Sequence, residues 1–117
     1  MGSFVTPSVT KYGYSYQRVD VAGNAGDIVK FPVPNMATTR EVGMNVQGVL
    51  TTGTGNSIQV AFCNATANPA EIDNTNLPWA TMVTFTSSGI QYLPGPFLLA
   101  QVSFIGTGGQ VYFTLTS

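Results

Sequence analysis

The sequence has no histidine, a single cysteine and very little charge: four Lys or Arg and five Asp or Glu in 117 residues, or 8%. An ordinary soluble domain carries roughly 25% charged residues. Each scarcity excludes something. Without histidine there is no Ser-His-Asp triad, no Cys-His pair and no histidine-based metal cluster. With Cys63 alone there is no intrachain disulfide and no cysteine-based zinc site. A net charge of −1 provides no basic footprint for a phosphate backbone, so no nucleic-acid partner is expected. The apolar runs are too short to cross a bilayer as a helix, so no membrane partner is expected either. The first residues, MGSFVTPSVTKYG, lack a charged segment followed by an apolar one, and no secretory signal is read from them. Without one, Asn64-Ala65-Thr66 is a chance match to a glycosylation sequon.

The acids are Asp20, Asp27, Glu41, Glu71 and Asp73. Glu71 and Asp73 are close in sequence, but their plain reading is that they solvate a loop. A carboxylate pair for glycoside hydrolysis needs two groups set across a cleft. A calcium loop needs a ligand spacing that is missing here. Cys63 reads as an inert thiol, since a nucleophile would need a neighbouring base and a lowered pKa. The chain is therefore expected not to be an enzyme, and no cofactor is expected.

What the sequence does have is period-two alternation, repeated along its length, and no helical stripe. Apolar residues make up 44%. Tyr14–Val21 reads as a strand with Tyr14 and Tyr16 on one face and Val19 and Val21 on the other. AGNAG at 22–26 is a turn former. Asp27–Val33 places Val29, Phe31 and Val33 on one face, and Pro32 and Pro34 mark it as an edge strand or one that ends in a bulge. In EVGMNVQGVLTT, Val42, Met44, Val46 and Leu50 alternate with Gly43, Asn45, Gln47 and Val49. GTGN turns the chain, and SIQVAFCN turns Ile58, Val60 and Phe62 inward; the two runs read as a hairpin. Residues 64–78 form the longest stretch without a period, with one helical turn at Pro69–Asp73 capped by Asn68. Strands resume with Trp79, Thr81, Val83 and Phe85, then Gly89–Leu93. After LPGPF, a second hairpin around GTGG pairs Leu98, Ala100, Val102 and Phe104 with Val111, Phe113 and Leu115.

About eight short antiparallel strands at these spacings predict an all-β domain, a single β-sandwich of jelly-roll type spanning 14–117. Residues 1–13 carry Gly2, Pro7 and Gly13 without alternation and read as an extended N-terminal arm. The large exposed candidates are aromatic. Trp79 reads either as a core plug at a loop-to-strand junction or as an interface anchor. Tyr12, Tyr14 and Tyr16 lie beside Lys11 and Arg18, too few cations for a single-strand nucleic-acid platform. Phe4, Val5, Tyr12, Tyr14, Trp79 and Tyr92 are the expected interface residues, because aromatic anchors dominate protein contacts.

The ending FTSSGIQYLPGPFLLAQVSFIGTGGQVYFTLTS resembles small all-β bacteriophage virion structural proteins: an extended segment, a Pro/Gly break, an apolar strand, a GTGG turn and a terminal strand. The uncharged polar surface and the arm are similar too, and the size resembles that of capsid decoration or cement proteins. The resemblance implies a non-enzymatic protein of the virion, assembled in the host cytoplasm, that bridges major capsid protein or other virion subunits and forms a homo-oligomer, a trimer by preference. A phage tail or neck protein, and a β-sandwich module that binds carbohydrate or a receptor, are the alternatives.

Overall fold

The computed structural model describes residues 8–11, 16–33, 43–66, 68–94 and 97–116. Val42 and the expected interface residues Phe4, Val5, Tyr12 and Tyr14 lie outside them. Among the described residues there are nine strands: β1 Ser8–Lys11, β2 Tyr16–Gly23, β3 Ile28–Pro32, β4 Gly43–Leu50, β5 Ser57–Cys63, β6 Ala80–Phe85, β7 Gly89–Pro94, β8 Leu99–Ile105 and β9 Gly109–Thr116. The helical turn shrinks to a 3-10 turn at Pro69–Glu71. The Asn68 side chain caps it by accepting from the Ala70 N–H, with proline in the first turn, as the sequence predicts.

The strands form two sheets, ordered β1-β2-β9-β4-β7 and β3-β8-β5-β6. All pairings are antiparallel, and they nest: β2 with β9, β3 with β8, β4 with β7 and β5 with β6. These are the rungs of one long hairpin whose tip is the connection after Cys63. Rolling that hairpin up adds the contacts β4–β9 and β5–β8. The result is a jelly roll.

One reading of the sequence is corrected here. The runs on either side of GTGN and of GTGG are not hairpins. β4 and β9 belong to one sheet, β5 and β8 to the other, so each glycine turn is an arch that carries the chain across the sandwich. Alternation does not separate the two cases, because a strand facing its neighbour across the core shows the same period as one paired beside it. Residues 1–7 and 12–13 of the expected arm lie outside the described residues. Within the stretch 1–13, Ser8–Lys11 pairs with Arg18–Asp20 and Gln17 of β2 as an edge strand.

The inward residues meet between the sheets. Val19, Val21, Val29, Phe31, Met44, Val46, Ile58, Val60, Phe62, Val83, Phe85, Val102, Phe104, Val111 and Phe113 are all buried in one cluster. The alternation therefore identified the core. The gap in the β4 pattern also has a physical reason. Gly48 occupies the inward position between Val46 and Leu50, and a Cβ there would stand 2.7 Å from the Phe85 ring. The ring fills the place of the missing side chain. Phe31 and Phe113 meet edge to face across the core with centroids 5.3 Å apart, a favoured arrangement of their ring quadrupoles.

The arches crowd together at one end of the sandwich. Gly26 and Gly106 both have positive φ, 86° and 80°. A Cβ on Gly26 would meet nothing, whereas one on Gly106 would run into the Gly55 carbonyl oxygen of the neighbouring arch. The β2–β3 turn is fixed to β8 by Gly26 N–H donating to the Phe104 carbonyl (2.7 Å) and Phe104 N–H donating to that of Asp27 (3.0 Å). Gly26→Ala should cost only the left-handed backbone strain, about 1–2 kcal/mol. Gly106→Ala should cost clearly more, about 3 kcal/mol or beyond, because backbone has to move as well. Urea unfolding of the two variants checks this, and equal midpoints would refute the packing of the arches.

Candidate functional site

Charge is distributed unevenly over the fold. Between Glu41 and Glu71, and after Asp73, the sequence contains no charged residue, so β4 to β9 are uncharged throughout. The charges of the described strands lie in β1, β2 and β3: Lys11, Arg18, Asp20 and Lys30. Arg18 Nε meets Asp20 Oδ1 at 2.7 Å, and the guanidinium stands 5.9 Å from the Tyr112 ring. One flank of the sandwich is thus charged and self-paired. The opposite flank is formed by β6 and β7, the edge strands of the two sheets.

On that flank the apolar side chains are outside. Opposed residues of an antiparallel pair share a face. The outer face of the five-stranded sheet therefore carries Tyr92 opposite Asn45, and Ile90 opposite Gln47, with Val49 beyond them. Ile90 is 66% exposed and Tyr92 59%. On β6 the register with β5 slips between Val60 and Ala61, so Met82 is an extra, unpaired residue, and it is exposed. Of the five large exposed apolar residues among those described, Val49, Met82, Ile90 and Tyr92 thus lie on or beside the uncharged edges, and Ile105 lies apart at the end of β8. The search for aromatic anchors pointed to Tyr92. It missed Ile90 and Met82, although the absence of any charge after Asp73 was a signal for the whole flank.

Trp79 lies elsewhere. It is half-buried and outside the core cluster, so the core-plug reading is wrong, and it is on the other sheet from Tyr92. The two residues do not form one site. The Lys30 ammonium stands 6.0 Å from the Trp79 ring and 4.0 Å from Asp73 Oδ1. Lys30 projects from the outer face of β3, in the same row as Gln101 and Ala61. The next row on that face pairs Leu99 with Cys63, both buried though they point away from the core. The approach of Trp79 and Asp73 to Lys30 carries the 64–79 connection back over the outer face of the four-stranded sheet, where Leu99 and Cys63 are buried outside the main core. Long loops commonly cover apolar side chains in this way. Leu98 N–H donates to Asn64 Oδ1 at 2.8 Å, fixing the start of the connection.

Cys63 is a buried free thiol, and no group of three His, Cys, Asp or Glu among the described residues is placed to hold a metal ion. No protein-family model matches the chain, and no curated protein matches it. Among solved structures, the chain is similar to the crystal structure of Peruvianin-I, a cysteine peptidase from Thevetia peruviana latex. The TM-score is 0.48 at 14% identity, and the match covers 88% of this chain and 51% of that one. The chain thus spans about half the length of that protein. A likeness of this size carries no argument about function.

The cover over Cys63 makes a measurable prediction. Trp79→Ala removes a cation–π contact with Lys30 and part of the apolar cover, so the loop should open more often. Modification of the Cys63 thiol by a soluble disulfide reagent should speed up on the order of tenfold, the equivalent of about 1.4 kcal/mol. An unchanged rate would mean that the connection does not shield this face.

Proposed function

We propose that the chain is a non-enzymatic structural protein of a virus particle, a capsid decoration or cement protein. It acts by contact alone, bridging shell subunits so that more area must separate before the shell fails. The observation that carries this reading is the flank built from β6 and β7: two adjacent sheet edges, no charge, and Met82, Ile90 and Tyr92 turned to solvent. Exposed uncharged edges are a hazard on a protein that works alone. They suit one that is covered in use, where interfaces of about 1,200–2,000 Å² are typical and aromatic anchors dominate. The jelly roll is consistent with this reading, since capsid domains use it, but so do lectins and cupins. The missing histidine and the buried Cys63 leave no obvious nucleophile–base pair. The same flank supports self-association, and it is equally suited to a tail or neck position.

A second reading has one observation in its favour. Tyr92 stands beside Asn45, with Gln47 next along β4, on a flat outer face. An aromatic ring flanked by amides is the composition of a carbohydrate platform. A glycan array with a Tyr92→Ala control separates the two readings.

Quantitative mass spectrometry of gradient-purified particles from the source of the sequence tests the first. The protein should appear at a fixed ratio to the major shell subunit. Particles carrying Ile90→Lys/Tyr92→Lys should lose most of it, and should lose heat resistance with it. Absence of the protein from intact particles would overturn the proposal.

A further inference from the structure

The four sheet edges are not alike. β1 contains Lys11, β3 contains Lys30 and ends on Pro32, and β6 is broken by the extra residue Met82. Charge, proline and bulges are the devices that stop edge strands from pairing. β7 also ends on a proline, Pro94, but carries no charge and no bulge along its length. It keeps unbroken register with β4 over six residue pairs, and among the described residues no strand lies on its other side. Its sequence, GIQYLP, carries no charge that a partner would have to neutralise.

We infer that β7 pairs with β7 of a second copy, antiparallel across a two-fold axis, so that two five-stranded sheets join into one. This deepens the proposed function, since it rests on the same uncharged flank and names its partner as a copy of this chain. The occupant follows from charge and symmetry. Among the described residues the other edges carry a lysine or a bulge, so a head-to-tail contact of β7 with any of them meets a blunted edge. A second β7 is uncharged and flat, and self-complementary pairing closes at two copies.

The pleat restricts the register. Opposed residues must share a face, so the two positions in an opposed pair sum to an even number. The register centred on Gln91 sets Ile90 opposite Tyr92 of the second copy, and Tyr92 opposite its Ile90. The two most exposed apolar residues of the fold thereby cover each other twice. Gln91 faces its own copy on the axis, on the inner side of the sheet. The pairing also favours two-fold association over the three-fold one that the resemblance implies.

Sedimentation equilibrium of the full chain at tens of micromolar should give about twice the 12.3 kDa chain mass. Ile90→Lys/Tyr92→Lys should halve that mass, and Ile105→Lys, exposed on the other sheet, should leave it unchanged. Because lysines on a sheet can impair folding, a second variant reads the geometry directly. Opposed residues in an antiparallel pair have Cα atoms about 4.5–5.5 Å apart, within disulfide reach. Gln91→Cys should therefore cross-link into a covalent dimer under mild oxidation, and Ile105→Cys should not. A monomer or a trimer in solution would overturn the inference, as would a dimer that neither cross-links at residue 91 nor responds to the lysines. A dimer that is absent from purified particles sinks the virion reading and leaves this pairing standing. A particle-bound protein that is monomeric in solution does the reverse.

Discussion

Everything in this fold depends on two half-apolar sheets having only each other to bury against. Strands β2 to β9 each turn Val, Ile, Leu, Met or Phe inward from one face, and the other face meets water except where the 64–79 connection covers it. Neither sheet is stable without the second, because a single sheet would leave its whole apolar face wet. The chain meets this constraint by changing sheets after β2, β3, β4, β6, β7 and β8. Consecutive strands therefore end up facing across the core, and strands far apart in sequence end up side by side. Tyr16 pairs with Thr116 and Ile28 with Ser103, so nearly the whole chain must be in place before those ladders close. Folding should accordingly be slow for a domain of this size, since long-range pairing requires loop closure before contact energy is gained.

Much of this was legible from alternation, because alternation reports which residues face the core. The inward set from Met44 to Phe113 needed no knowledge of pairing. The pairing itself was not legible. A glycine turn between two alternating runs serves equally for a hairpin and for an arch, and what decides is how it packs on other turns. Gly106 has to be glycine because another arch's backbone lies against it, and no local pattern announces that. Gly48 is the same lesson inside a strand. It looked like a gap in the β4 stripe, and it is where the Phe85 ring sits.

The candidate surface was less legible than the core. Burial leaves a period in the sequence, whereas an interface leaves only composition. Tyr92 could be named as an anchor, but Ile90 and Met82 could not, because which strands are edges follows from the sheet order. The core-plug alternative for Trp79 fails for a related reason. A long connection can fold back over the outer face of a sheet, so a large aromatic at its end need not enter the core. Asn68 before Pro69 was legible because a cap is a local device, complete within three residues.

The separation of charge links the fold to its use. Six consecutive strands without a charged residue would be dangerous in an unfolded or slowly folding chain, since uncharged β-prone segments aggregate. Proteins usually offset this with lysines along the strands. Here the outward positions of β4 and β9 carry Asn45, Gln47, Gln110, Tyr112 and Thr114 instead, which hydrate the sheet without repelling another surface. Charge on β1 to β3 then provides solubility on one flank only. A molecule built this way is repelled weakly and directionally. Copies that meet charged flank to charged flank must desolvate Arg18, Asp20 or Lys30, which is costly. Copies that meet through β6 and β7 desolvate no charge and gain apolar contact. The fold thus biases the orientation of encounter before any specific contact forms, and it does so because the charged residues of the described strands all lie in β1 to β3.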